Sequence, residues 1–130
     1  MEDKQYQICV VEDNIPIRKL YCTLLKKHNF QTVDFPDGKQ AIDWLSNNTP
    51  DCVLVDILLP DMNGTDILHF IRKKSGGELI PIIAATGFAH SNDRQKFLDM
   101  GFDSYISKPI NTASFADDIE EVIRKKNEQK

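Results

Sequence analysis

The chain has 130 residues, 41% of them hydrophobic and 28% charged, with a formal net charge of −4. That length suits one domain spanning residues 1–130, the composition excludes disorder and a disulfide scaffold, and the charge argues against general nucleic-acid binding, which rests on clustered Lys and Arg. Apolar runs such as Ile80 to Ala85 fall far short of the roughly 20 residues that span a bilayer, and the polar Met1 to Gln7 lacks the apolar stretch of a secretory signal, so a cytoplasmic location without membrane insertion is expected.

In chain order, Ile8 to Val11 is the first short, continuously apolar run, the pattern of a strand covered on both faces. It is followed by Glu12 and Asp13, and Asp13 or Asn14 is placed to cap a helix whose first turn holds Pro16. Ile17, Leu20, Tyr21, Leu24 and Leu25 follow the i, i+3, i+4 rule for one buried helix face. Thr32 to Phe35 reads as an edge strand, and Ala41, Ile42 and Leu45 as the buried face of a second helix, where Trp44 is expected to be partly covered. Cys52 to Val55 is a second buried strand, ending at Asp56. Ile67, Phe70 and Ile71 mark a third helix.

Gly76 and Gly77 punctuate a polar loop before the strand Ile82 to Ala85, which ends at Thr86. Ser91 to Met100 is the most polar of the helical stretches. The short run Tyr105 to Ile106 leads to Ser107 and Lys108, and Phe115, Ile119, Val122 and Ile123 form the last amphipathic helix. Its basic end, Arg124 to Lys126, complements the helix dipole. Strand and helix alternate about five times, which implies right-handed crossovers and a doubly wound α/β sandwich.

Cys9, Cys22 and Cys52 lie within apolar patterns without CxxC spacing and read as core residues. His28, His69 and His90 fall away from the strand ends and read as surface residues. Gly64 and Gly101 are expected at turns or helix ends that need positive φ.

In doubly wound sheets, functional groups gather beyond the carboxyl ends of the strands. Here those positions hold Glu12, Asp13, Asp56, Thr86 and Lys108. Three carboxylates in one crevice repel one another unless a cation intervenes, and an all-oxygen donor set suits Mg²⁺. With Lys108 as a second positive charge, phosphoryl oxygens would be neutralised from two sides, Asp56 would serve as nucleophile, and the Thr86 hydroxyl could donate to a phosphoryl oxygen.

Four segments, VVEDN, LVDILLPDMNG, AATG and YISKP, in this order at strand ends, give a chain that resembles the receiver domain of two-component response regulators over nearly its whole length. The resemblance implies a flavodoxin-like parallel sheet of strand order 2-1-3-4-5 with five flanking helices. It implies Asp56 as phosphoacceptor, and metal ligation by Asp13 and Asp56 directly, by Glu12 through water and by the Leu58 backbone carbonyl, with Mn²⁺ able to replace Mg²⁺. It assigns Lys108 to grip the phosphoryl group, and Thr86 and Tyr105 to relay its arrival to the face of helix 4, strand 5 and helix 5. Pro109 occupies the family's cis-peptide position.

Leu58 and Phe88 stand where many members carry more polar residues, and they are expected to hinder the attacking water and prolong the life of phospho-Asp56. The implied partners are a sensor histidine kinase or histidine phosphotransfer protein as donor and a downstream protein as target, with the chain a monomer or a phosphorylation-dependent dimer. The chain would then be a signalling switch rather than an enzyme acting on a separate substrate, without an output domain. A receiver segment of a hybrid histidine kinase or phosphorelay protein is the alternative.

Three rivals fit less well. A phosphatase of the haloacid dehalogenase type needs a second Asp where Leu58 stands, and a nucleotide or flavin module lacks GxxxxGK and GxGxxG after any strand. A degenerate receiver that only binds partners is disfavoured because every chemical position is filled.

Overall fold

The computed structural model describes residues 5–87 and 91–129, with the side chains of 91–93 excepted. Five strands, β1 (Gln7–Val11), β2 (Gln31–Phe35), β3 (Cys52–Asp56), β4 (Ile82–Thr86) and β5 (Ser104–Ser107), alternate with α1 (Ile15–Lys27), α2 (Gly38–Leu45), α3 (Gly64–Lys73), α4 (Ser91–Met100) and α5 (Phe115–Glu128). The strands form one parallel sheet of order β2-β1-β3-β4-β5. β3 and β4 are buried at every position while the edge strands β2 and β5 are half-covered, which accounts for the unbroken apolar runs of the first pair and the weaker patterns of the second.

Side chains alternate across the sheet and build two cores. Cys9, Val11, Val53, Val55, Ile82 and Ala84 pack with Ala41, Leu45, Ile67, Leu68, Ile71 and Phe97 from α2, α3 and α4. Ile8, Val10, Cys52, Leu54, Ile83 and Ala85 pack with Tyr21, Cys22, Leu25, Phe115, Ile119 and Ile123 from α1 and α5. All three cysteines are free and buried, as core residues should be. Trp44 is half-buried beside Phe35, at a ring separation of 5.9 Å.

Two helix details depart from the sequence reading. Leu20 is 40% exposed and Cys22 lies inside instead, because the sheet covers a face centred on Tyr21, Cys22 and Leu25. Gly101 does have a positive φ of 117°, but Gly64 does not; what excludes a side chain at Gly64 is space, since a Cβ there would lie 2.6 Å from the Asp56 carbonyl oxygen. No helix among the described residues is long and apolar enough to cross a membrane.

Candidate phosphoacceptor and metal pocket

The parallel register brings the strand ends level: Val11 pairs with Val55, Asp56 with Ala85, and Thr86 with Ser107. The residues just past or at those ends therefore open onto one crevice. Asp56 and Thr86 are themselves the last residues of their strands, one position further than the apolar runs indicated.

Lys108 organises the acids. Its Nζ donates to Glu12 Oε1 at 2.7 Å and to Asp56 Oδ2 at 3.0 Å. Its backbone N–H donates to the Thr86 carbonyl at 2.8 Å, which continues the β4–β5 ladder and fixes where the lysine starts. The Lys108–Pro109 peptide is cis, the isomer that the resemblance implied. Glu12 is 1% exposed and Asp56 8%, so both carboxylates need partners that a solvated acid would not. Asp56 Oδ1 accepts from the Leu58 N–H at 3.2 Å, and Glu12 Oε2 from the Asn14 N–H at 3.1 Å.

Burial, joined by the neighbouring charge of Asp56, pushes the Glu12 carboxyl above its ordinary value of 4.5 despite the opposing hydrogen bond from Lys108. Burial also works against the Lys108 charge, but hydrogen bonds to Glu12 and Asp56 outweigh it and hold the ammonium above 10.5. Both shifts have the same sense: Glu12 and Lys108 each hold a proton more tightly than the separated groups do. Tyr21 lies beneath the pocket, stacked on Phe115 at 5.0 Å, and burial raises its phenol to about 12.

Donor atoms of Glu12, Asp13 and Asp56 lie within 4.8 Å of one another, with Asp13 the solvent-exposed member. Such an all-carboxylate set fits a hard divalent cation such as Mg²⁺. Leu58 faces Asn63 across an isolated antiparallel bridge, and the flanking bonds Leu59 N–H to Met62 O and Gly64 N–H to Ile57 O leave the Leu58 carbonyl outside that pairing. Leu58 is 56% exposed, two residues after Asp56. Its counterpart in the sequence reading, Phe88, and His90 lie outside the described residues.

Thr86 is 1% exposed. It stands one residue beyond Ala85, the partner of Asp56, so strand alternation directs its side chain to the opposite face, the one that carries Tyr105 opposite Ala84. The Tyr105 ring is half-buried and 6.0 Å from Phe97 of α4.

Sequence reasoning missed Arg18. Its Nη1 donates to the Glu12 carbonyl at 2.8 Å and its Nε to Asp34 Oδ2 at 2.9 Å, which ties the acidic turn to β2. Nothing local marks it, because Arg18 lies on α1 and Asp34 on β2, 16 residues further along the chain. Asp61 was passed over as well: its carboxylate accepts from the Gly38 and Lys39 N–H groups, both at 2.9 Å, and so joins the β3–α3 loop to the start of α2.

A doubly wound sheet with an acid triad and a lysine at its carboxyl edge defines a class of aspartate-centred phosphate or metal-binding domains. The chain belongs to the response regulator receiver domain family, whose model matches residues 8–120. It is 42% identical over 113 residues to hybrid signal transduction histidine kinase I of Dictyostelium discoideum, covering 81% of this chain and 6% of the kinase. It is 32% identical over 112 residues to the polar-differentiation response regulator DivK of Brucella anthropi, covering 86% of this chain and 91% of that protein. Other curated relatives are matched over about half of their own length, 52%.

Among solved structures, the receiver domain of sensor histidine kinase PA1611 from Pseudomonas aeruginosa is 28% identical with a TM-score of 0.82, covering 93% of this chain and 99% of that one. That structure has a magnesium ion coordinated in its active site cleft. Receiver domains are signalling switches that take phosphoryl groups from histidine kinases.

Proposed function

We propose that this chain accepts a phosphoryl group on Asp56 from a phosphohistidine of a sensor histidine kinase or histidine phosphotransfer protein, and signals through the resulting change of shape. The observation that carries this reading is Lys108 Nζ held between the carboxylates of Glu12 and Asp56 at 2.7 and 3.0 Å. A lysine at that distance from an acid nucleophile is placed to meet the negative oxygens of an incoming phosphoryl group.

Asp13 and Asp56 would hold Mg²⁺ directly, Glu12 through water and Leu58 by its carbonyl, with Mn²⁺ as a substitute. Bound there, the ion supplies charge neutralisation at the phosphoryl oxygens. An Asp56 carboxylate oxygen attacks phosphorus, the P–N bond of the donor breaks, and its electron pair stays on the imidazole nitrogen, which takes up a proton. Lys108 moves from its ion pair with Asp56 to the phosphoryl oxygens.

The phosphoryl group carries about −1.5 to −2 where the carboxylate carried −1, and this more negative charge draws the Thr86 hydroxyl toward it. Space vacated by Thr86 lets Tyr105 turn inward, which alters the face of α4, β5 and α5 offered to a protein partner or a second copy of the chain. Leu58, two residues after Asp56, and Phe88 slow the water that would release the phosphoryl group.

Incubation with a small phosphodonor and Mg²⁺ should add one phosphate by intact mass, and none to Asp56→Asn. Equal uptake by that variant defeats the assignment. A receiver segment of a hybrid kinase or phosphorelay protein is the second reading, favoured by the 42% identity to a hybrid kinase; it uses the same pocket.

A further inference from the structure

We infer that His28, Asp117 and Glu120 form a second divalent-cation site, suited to Zn²⁺, that ties the end of α1 to the first half of α5. His28 is the residue that caps the C-terminus of α1. Its Nε2 lies 3.1 Å from Glu120 Oε1 and 3.7 Å from Asp117 Oδ1. One donor atom from each of the three residues falls within 4.8 Å of the others. A tetrahedral zinc ion with bonds of about 2.0–2.1 Å sets its ligands about 3.3 Å apart, so the two imidazole–carboxylate separations bracket the required edge.

The donor chemistry separates this site from the Asp56 pocket. Three carboxylates select a hard ion, whereas an imidazole with two carboxylates suits zinc and its transition-metal neighbours. Asp117 and Glu120 are three residues apart on α5 and so share a face toward α1. The His28 ring is held beside Phe30, with centroids 5.1 Å apart. A cleft of about 190 Å³ adjoins His28 and Asp117 and is lined by Leu24, Lys27, Thr112 and Ala116, which leaves room for water as a fourth ligand. Lys27 is solvent-exposed, so its charge is largely screened there.

As a plain ion pair this trio needs a protonated imidazole; a zinc ion would take the place of that proton and cross-link the two helices. The test uses the full chain, stripped of metal and then held in excess Mg²⁺ so that the Asp56 pocket is filled, during titration with Zn²⁺. Expected are one zinc per chain by calorimetry and movement of the His28 ring signals in nitrogen–proton NMR, while those of His69 stay in place. His28→Ala should abolish this binding, and Glu120→Gln, a conservative change at a half-exposed position, should weaken it by about tenfold or more. Labelling of Asp56 should be unchanged in both. Zinc uptake with the His28 signals unmoved, equal affinity in the variants, or no uptake at all would overturn the proposal.

Discussion

Lys108 Nζ and Asp56 Oδ2 are 3.0 Å apart, and the same ammonium is still closer, at 2.7 Å, to the buried Glu12. One cation thus serves two buried acids, and its removal leaves both uncompensated. Lys108→Met is expected to destabilise the metal-free protein by about 2–3 kcal/mol, below the roughly 3–5 kcal/mol of fully buried pairs; the reduction follows from the 21% exposure of the lysine side chain. Urea unfolding with and without Mg²⁺ checks this, and added Mg²⁺ should recover most of the loss.

The raised Glu12 carboxyl has a defined consequence for metal binding. Because burial lifts it above 4.5 in the folded chain, its proton stabilises the metal-free fold below that value, and this contribution is lost as pH rises through the folded value. A cation must displace the same proton. Mg²⁺ affinity should therefore climb with pH above 4.5, and Glu12→Gln should flatten that climb in a calorimetric titration at several pH values.

Asp61 titrates with the opposite sign. Hydrogen bonds from the Gly38 and then the Lys39 N–H hold its carboxyl below 3.8. Its contribution is present above 3.8 and lost as pH falls through the lower folded value. Asp61→Asn should lower the urea midpoint at neutral pH and narrow the gap between wild type and variant in acid.

Gly64→Ala should damage the phosphoacceptor strand from behind. A Cβ at 2.6 Å from the Asp56 carbonyl oxygen requires α3 or β3 to shift. A loss of about 1–3 kcal/mol in unfolding free energy, typical of forced overpacking, should accompany slower labelling of Asp56. Unchanged stability would mean that the loop absorbs the methyl group.

Leu58 is testable by its own chemistry. Leu58→Asn places a hydrogen-bonding side chain two residues after Asp56, where it can hold a water near the phosphoryl group. Dephosphorylation, followed by loss of the added mass with time, should accelerate severalfold. A rate unchanged or slower removes Leu58 as the cause of a long-lived phosphoryl group.

Much of the fold is legible because its signals are local. Val53 to Val55 and Ile82 to Ala85 are continuously apolar since both sheet faces are covered there, and Asn14 announces the start of α1 by accepting from the Ile17 N–H at 2.9 Å. Leu20 and Gly64 escaped a correct reading for a different reason. Which neighbour of a helical stripe is left outside, and whether a glycine answers to φ or to space, depends on what packs against it.

The sequence by itself determined the alternation of elements and the residue types at each strand end, because periodicity and turn chemistry act within a few residues of chain. Only the tertiary structure decided that Lys108 spans Glu12 and Asp56, that Arg18 of α1 ties the acidic turn to Asp34 of β2, and that His28 meets Asp117 and Glu120. Those relationships join residues far apart in the chain, and their energies depend on distance and burial, which exist only once the sheet has set its register.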